Sequence, residues 1–374
     1  TGNGMRTDTW KMSQPHAPYL LFMGVGSFEV VKDRYKGKDV TYYVEKEYAP
    51  VARRIFGYTP EMMALYSRLT GVEFPWPKYA QIVGRDYIFG AMENTTATLH
   101  GDDANQDARS LVDGNEWELV IAHELFHQWT GDYVTTESWS NTTVNESFAD
   151  YSEALWYEYK YGREAMQHQL YSDRRLYLSN KSLNSKKLVT FNYGNAFEMF
   201  DQVSYQKGGC ILQMLRSFVG DSAFFRSIKL YLDTYKYKSA EAQQLRLAFE
   251  EVTGKDLNWF WNQWYYGSGH PVLDLSYQFD AATRKARLIV QQTQDGAPFT
   301  APVVVAVHQG GKVKEHRVWI RNRTDTFSFD ASARPDLINF DAENVLVAQK
   351  TDHKTPAEWQ YLYGHGSYID RREA

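Results

Sequence analysis

The segment His123-Glu124-Leu125-Phe126-His127 carries the clearest chemistry in the chain. On a helix, residues four apart share a face, so both imidazoles can reach one metal ion. Glu124 points beside that face, where its carboxylate can take a proton from a metal-bound water. A catalytic zinc ion takes three protein ligands and keeps one position for water, so this pattern demands a third ligand. Glu146, 19 residues beyond His127, is the candidate. A helix, a turn and a return helix would need about that spacing to bring a carboxylate onto the same ion. Asp150 and Glu153 follow Glu146 at i+4 and i+7 on the same helix face. Either could accept a hydrogen bond from a ligating histidine and fix its tautomer.

The chain must supply helices to position these residues. Acidic Glu116 and Glu118 open a helix that runs from Asp113 to about Trp129, and a second opens near Val144. Thr59-Pro60-Glu61 starts an earlier helix that Gly71 stops. Tyr79 to Val83 reads as a strand leading towards Gly90. Later helices cover Gly209–Phe218, Ser222–Tyr235 and Ala240–Val252, the last closed by Gly254. Before residue 33, Tyr19–Met23 and Phe28–Val31 flank Gly24–Gly26 and read as a hairpin. After Gly269-His270-Pro271 the pattern becomes short alternating strands separated by turn residues, a small all-β module. Thr355-Pro356-Ala357-Glu358 then starts one more helix.

The stretch from His123 to Glu153 resembles the gluzincin zinc aminopeptidases, typified by aminopeptidase N and leukotriene hydrolase. Gly90-Ala91-Met92-Glu93-Asn94 matches that family's Gly-x-Met-Glu-Asn hallmark upstream of the zinc helix. The resemblance implies one zinc ion held by His123, His127 and Glu146, with Glu124 as general base. It implies that Glu93 binds the free ammonium of a peptide and limits cleavage to one residue, which suits a charge-assisted hydrogen bond. The backbone of Gly90 and Ala91 would pair with the substrate, and Met92 would line the side-chain pocket. Tyr205, in Tyr205-Gln206-Lys207-Gly208-Gly209, matches the family's oxyanion donor.

The implied fold class is α+β: a thermolysin-like, mainly helical catalytic domain followed by a small β-sandwich. The implied units are 1–33, the last strands of an N-terminal saddle; 34–270, catalytic; 271–350, sandwich; and 351–374, the start of a helical domain. On this reading the chain is a fragment. Asn141 stands where the family usually has Asp, and Ser147 where it has Gly. The family's saddle also supplies a Gln or Glu to the ammonium, and no residue here is assigned that role. The expected activity is an N-terminal exopeptidase acting through a zinc-activated water. An endopeptidase, an epoxide hydrolase as in one branch of the family, and a non-catalytic scaffold are the alternatives.

Bulk properties narrow the partners. With 374 residues and 43% apolar side chains, the chain can build two or three cores. A net charge of -5 without a long basic run argues against nucleic acid, and the resemblance implies peptides as the partners. One cysteine, Cys210, excludes an intrachain disulfide. No stretch approaches the roughly 20 apolar residues of a membrane span. Localisation and oligomeric state are not encoded in any motif.

Overall fold

The structure, a computed structural model, describes residues 4–374. Thr1, Gly2 and Asn3, at the head of the expected 1–33 unit, lie outside the described residues. Strands β1 (Glu29–Tyr35) and β2 (Lys38–Val44) form an antiparallel hairpin. Its turn is Lys36-Gly37, at φ 45° and 82°, a two-residue turn whose twist matches the strands. The hairpin expected across Gly24–Gly26 does not form. Pro18–Leu20 is a 3₁₀ turn and residues 21–28 carry no strand. Leu21, Met23 and Val25 face solvent, so no burial of their side chains rewards pairing there. The boundary expected at residue 33 falls inside β1.

Helices α1 (Ala52–Phe56) and α2 (Thr59–Thr70) follow, the second stopped by left-handed Gly71. Strands β3 (Lys78–Val83), β4 (Ala91–Met92) and β5 (Ala97–His100) complete a five-stranded sheet in the order β1-β2-β3-β5-β4. The two-residue β4 is therefore an edge strand. Helix α3 (Glu118–Phe126) carries the His-Glu pattern, and α4 (Thr143–Tyr161) carries Glu146, with β6 (Val134–Thr136) between them. Next come α5 (Arg163–Ser179), a π-helical turn at Val203–Lys207, α6 (Gly208–Val219) and α7 (Asp221–Tyr235). Strand β7 (Lys238–Ala240) pairs with β6. Helices α8 (Ala242–Thr253), stopped by Gly254, and α9 (Asn258–Trp264) close this part.

The chain then changes to strands: β8 (Val272–Asp280), β9 (Lys285–Gln292), β10 (Ala301–Gln309), β11 (Lys312–Ile320), β12 (Thr324–Asp330), β13 (Leu337–Phe340) and β14 (Gln349–Asp352). They make a four-stranded sheet, β12-β9-β8-β14, and a three-stranded sheet, β11-β10-β13. Alternate residues such as Leu273, Leu275, Leu288 and Val290 are fully buried, as period-2 patterning over a one-sided core requires. Helix α10 (Pro356–His365) starts with a capping box between Thr355 and Glu358, and α11 (Tyr368–Glu373) follows.

Buried tryptophans brace α3. Trp76 Nε1 donates to Gln128 O (2.9 Å), Trp129 Nε1 to Val72 O (2.9 Å), and Trp156 Nε1 to Glu118 Oε1 (2.6 Å). Each ring buries a large apolar area while its one donor is satisfied. Helices α4 and α6 meet more tightly still. A Cβ on Gly208 would lie 1.9 Å from Ser147 Oγ, and that hydroxyl already donates to Ser204 O (2.6 Å). Gly208→Ala should therefore lower stability by about 1–3 kcal/mol, overpacking outweighing alanine's better helix propensity. Combined with Ser147→Gly, the clash disappears and the same change should become neutral or stabilising. Thermal melts of the wild type, the two single variants and the double variant check this. An undiminished penalty in the double variant would refute it.

Candidate metal centre

Helix α3 presents His123 and His127 one turn apart, their rings 4.9 Å between centroids. Helix α4 returns alongside, so that Glu146 Oε2 lies 3.4 Å from His123 Nε2 and 3.2 Å from His127 Nε2. All three side chains are buried. The second nitrogen of each ring is committed elsewhere. His123 Nδ1 pairs with Glu153 Oε1 (2.9 Å), and His127 Nδ1 with the carbonyl of Thr130 (3.0 Å). Both acceptors require a proton on Nδ1, which leaves each Nε2 lone pair facing the same point. The Thr130 carbonyl is held by a turn at Gly131 (φ 145°), where a Cβ would come 3.0 Å from His127 Nδ1. Only glycine fits there without strain. Asp150 takes a different partner, accepting from Gln206 Nε2 (3.2 Å).

The second motif converges on the same point. Ligand atoms of Glu93, Glu124 and His127 lie within 4.8 Å of one another, as do those of His123, His127 and Glu146. Gln128, the residue after His127, fastens the two motifs together. Its Nε2 donates to Glu93 O (3.0 Å) and its Oε1 accepts from Thr96 N (2.9 Å). Sequence reasoning missed Gln128; its place directly after the second histidine was the available signal. Gly90, Ala91 and Met92 run into edge strand β4, whose inner side pairs Ala91 with His100 and Met92 with Leu99. The outer side of β4 is unpaired by any described strand. Asn94 is buried and its Oδ1 has no hydrogen-bond partner among the described residues.

Tyr205 sits in the π-helical turn and stacks on His123, centroids 5.8 Å apart at 10°. Its hydroxyl is close enough to Glu146 for a hydrogen bond, which helps burial push its pKa well up. The two departures from the family pattern lie behind these groups. Asn141 Oδ1 accepts from Ala242 N (3.1 Å), and Ser147 bonds Ser204 O. A residue not singled out from sequence, Tyr19, also reaches the site. Its ring meets Trp139 edge-on at 5.1 Å, and Asn145 Nδ2 donates to its hydroxyl (3.3 Å).

Charges in this pocket are strongly coupled. Burial pushes the Glu146 carboxyl up, but His127 and His123 outweigh it and hold it at about 2. Burial drives Glu124 up to about 8 against the pull of the same two histidines. Burial favours neutral His127, yet Glu93 and Glu146 carry it to about 9. A divalent cation facing the two Nε2 atoms would balance these carboxylates; among the described residues the Oε2 atoms of Glu146 and Glu124 have no hydrogen-bond donor.

The model of the peptidase family M1 domain matches residues 55–264, more than half of the chain and every residue named in this pocket except Tyr19. The chain belongs to peptidase family M1. It is similar to "Probable aminopeptidase 2" of Sulfurisphaera tokodaii, 28% identical across 80% of this chain and 39% of that protein. "Leucyl aminopeptidase" of Saccharolobus solfataricus is 27% identical, covering 89% of this chain and 42% of its own length. "Glutamyl aminopeptidase" of Homo sapiens is 28% identical over 72% and 29%. The chain spans about two fifths of the first of these relatives. In fold it is similar to Legionella pneumophila aminopeptidase A, solved with aspartic acid, with a TM-score of 0.76 at 18% identity over 92% of this chain and 40% of that one. The α+β aminopeptidase-type architecture, mainly helical with a separate β part, is therefore that of M1 peptidases. The family's peptidases are zinc enzymes. Two imidazole nitrogens and one carboxylate oxygen, buried and aimed at one point, are a donor set that could hold such an ion.

Proposed function

We propose that this chain is the catalytic part of a zinc aminopeptidase that removes single residues from peptides with a free N-terminus. The reading rests on one observation. The His123–His127–Glu146 triad and the carboxylates of Glu93 and Glu124 share a single pocket beside an unpaired strand edge.

His123, His127 and Glu146 would hold zinc, with Glu153 keeping His123 in the ligating tautomer. When bound, the ion supplies a Lewis acid that polarises the scissile carbonyl and makes water acidic. Glu124 takes the proton of the attacking water and returns it to the leaving amine. Burial raises its carboxyl above the usual carboxylate range, which favours holding the proton between the two transfers. Tyr205 donates its hydroxyl hydrogen to the developing oxyanion. The substrate backbone adds to the outer side of β4 at Gly90-Ala91, extended chain to extended chain. Glu93, buried and paired with no lysine or arginine among the described residues, takes the α-ammonium and sets the register.

The zinc-loaded protein should cleave a short peptide series with free N-termini, one residue at a time, and leave the acetylated series intact. An acetylated amine carries no charge for Glu93, so the expected loss in kcat/KM is at least about a hundredfold. Equal cleavage of both series would replace this reading with an endopeptidase.

A further inference from the structure

Lys207 is an anomalous side chain near the site. It is 1% exposed, and its Nζ makes no hydrogen bond to any described residue. An amine placed this way is costly, and such violations of local rules concentrate where function demands them. What faces it is an aromatic ring. Nζ lies 5.3 Å from the centroid of Tyr177, within cation–π range. Tyr177 is itself fully buried on α5, and its hydroxyl is bonded to His270 Nδ1 (3.1 Å) just before the β module.

Lys207 ends the π-helical turn whose middle residue is Tyr205. Such turns are rare, and this one must be held at both ends. At its start, Asp201 Oδ1 accepts from Val203 N (2.8 Å) and Ser204 N (3.3 Å). In the middle, Ser204 O takes the hydroxyl of Ser147. At its end, the described contact that fixes the side chain is the one between Lys207 and Tyr177. We propose that Lys207 is a positioning residue: its buried ammonium, held over the Tyr177 ring, clamps the π-helical turn that stacks Tyr205 on His123. This rests on the oxyanion role given to Tyr205 above.

The groups that face the amine are few. Asp201 faces it from just before the turn and is itself paired with Lys186. Tyr177 faces it from α5, and His270 from the segment after α9. His270 is kept neutral by burial and by the ammonium, down to about 4. Burial pushes Lys207 down to about 8 against Asp201. The clamp is therefore charged at neutral pH and is lost as pH rises through about 8.

The test is Lys207→Met, which keeps an unbranched side chain, one atom shorter, and removes the charge. Amide exchange of residues 203–208 at pH 7 should quicken about tenfold, while α3 and α4 keep their protection. With a free-amine peptide, kcat should fall about tenfold at unchanged KM, and the alkaline limb near pH 8 should vanish. Tyr177→Phe should keep the wild-type exchange and Tyr177→Leu should lose it, an arm that stands even if the methionine variant fails to fold. Unchanged exchange in Lys207→Met, or faster exchange with kcat intact, overturns the proposal. If the wild type cleaves no peptide, the aminopeptidase reading falls and the exchange arm alone decides the clamp.

Discussion

Glu124→Gln should lower kcat by about two to four orders of magnitude while the protein still binds zinc. The side chains have nearly the same shape, so the pocket walls need not move. What changes is that an amide cannot accept the proton of the attacking water. Glu124 is 6% exposed and its Oε2 has no hydrogen-bond donor among the described residues. The carboxylates whose charges act on it are Glu93 and Glu146. Glu146 is held ionised at about 2 by His127 and His123, which makes it a poor proton carrier near pH 7. Glu93 is assigned to the ammonium. Neither neighbour can therefore take over the transfer. Steady-state kinetics with metal analysis on the same sample decide the matter. Activity within tenfold of wild type would remove Glu124 from the mechanism.

Glu146→Gln should cost zinc affinity about a hundredfold or more. Apparent zinc binding energies of about 10–16 kcal/mol, divided among the ligands, put the loss of one charged donor at roughly 3 kcal/mol. The effect should exceed that of Glu153→Gln, which removes only the hydrogen bond to His123 Nδ1 and should cost about ten- to a hundredfold. The order of the two follows from the geometry. Glu146 Oε2 faces both Nε2 atoms at 3.2–3.4 Å, whereas Glu153 lies behind one ring. Competition with a chromophoric chelator measures both affinities. Equal losses, or none for Glu146→Gln, would show that the ion sits elsewhere.

Much of this architecture was legible because it depends on local rules. Gly71 and Gly254 stop their helices in left-handed geometry, as their positions promised. The alternating runs after Pro271 became strands because one face had a core to meet. Other elements had no such signature. Strand β14, Gln349–Asp352, is polar and short, and exists because β8 offers it a parallel edge in register. Helix α5 is too polar overall to announce itself, yet it carries Tyr177 and packs against α4 and the π-helical turn. The N-terminal hairpin was misplaced for the opposite reason. Gly24–Gly26 is a plausible bend with apolar flanks, but Lys36-Gly37 lets β1 reach β2, and β2 has β3 to lie against.

The candidate site divides the same way. His123, Glu124 and His127 were paired by helix geometry alone, because positions one turn apart must share a face. Glu146 was singled out by ligand count and spacing, Glu93 and Tyr205 through a motif resemblance, and only the folded chain carries them to one pocket. No sequence rule places Gln128 between the two motifs, turns Thr130 O towards His127 Nδ1, or chooses Glu153 over Asp150 as the partner of His123. Those choices depend on how α3, α4 and the π-helical turn pack. Packing is decided by contacts between residues far apart in the chain, which spacing along the sequence does not encode.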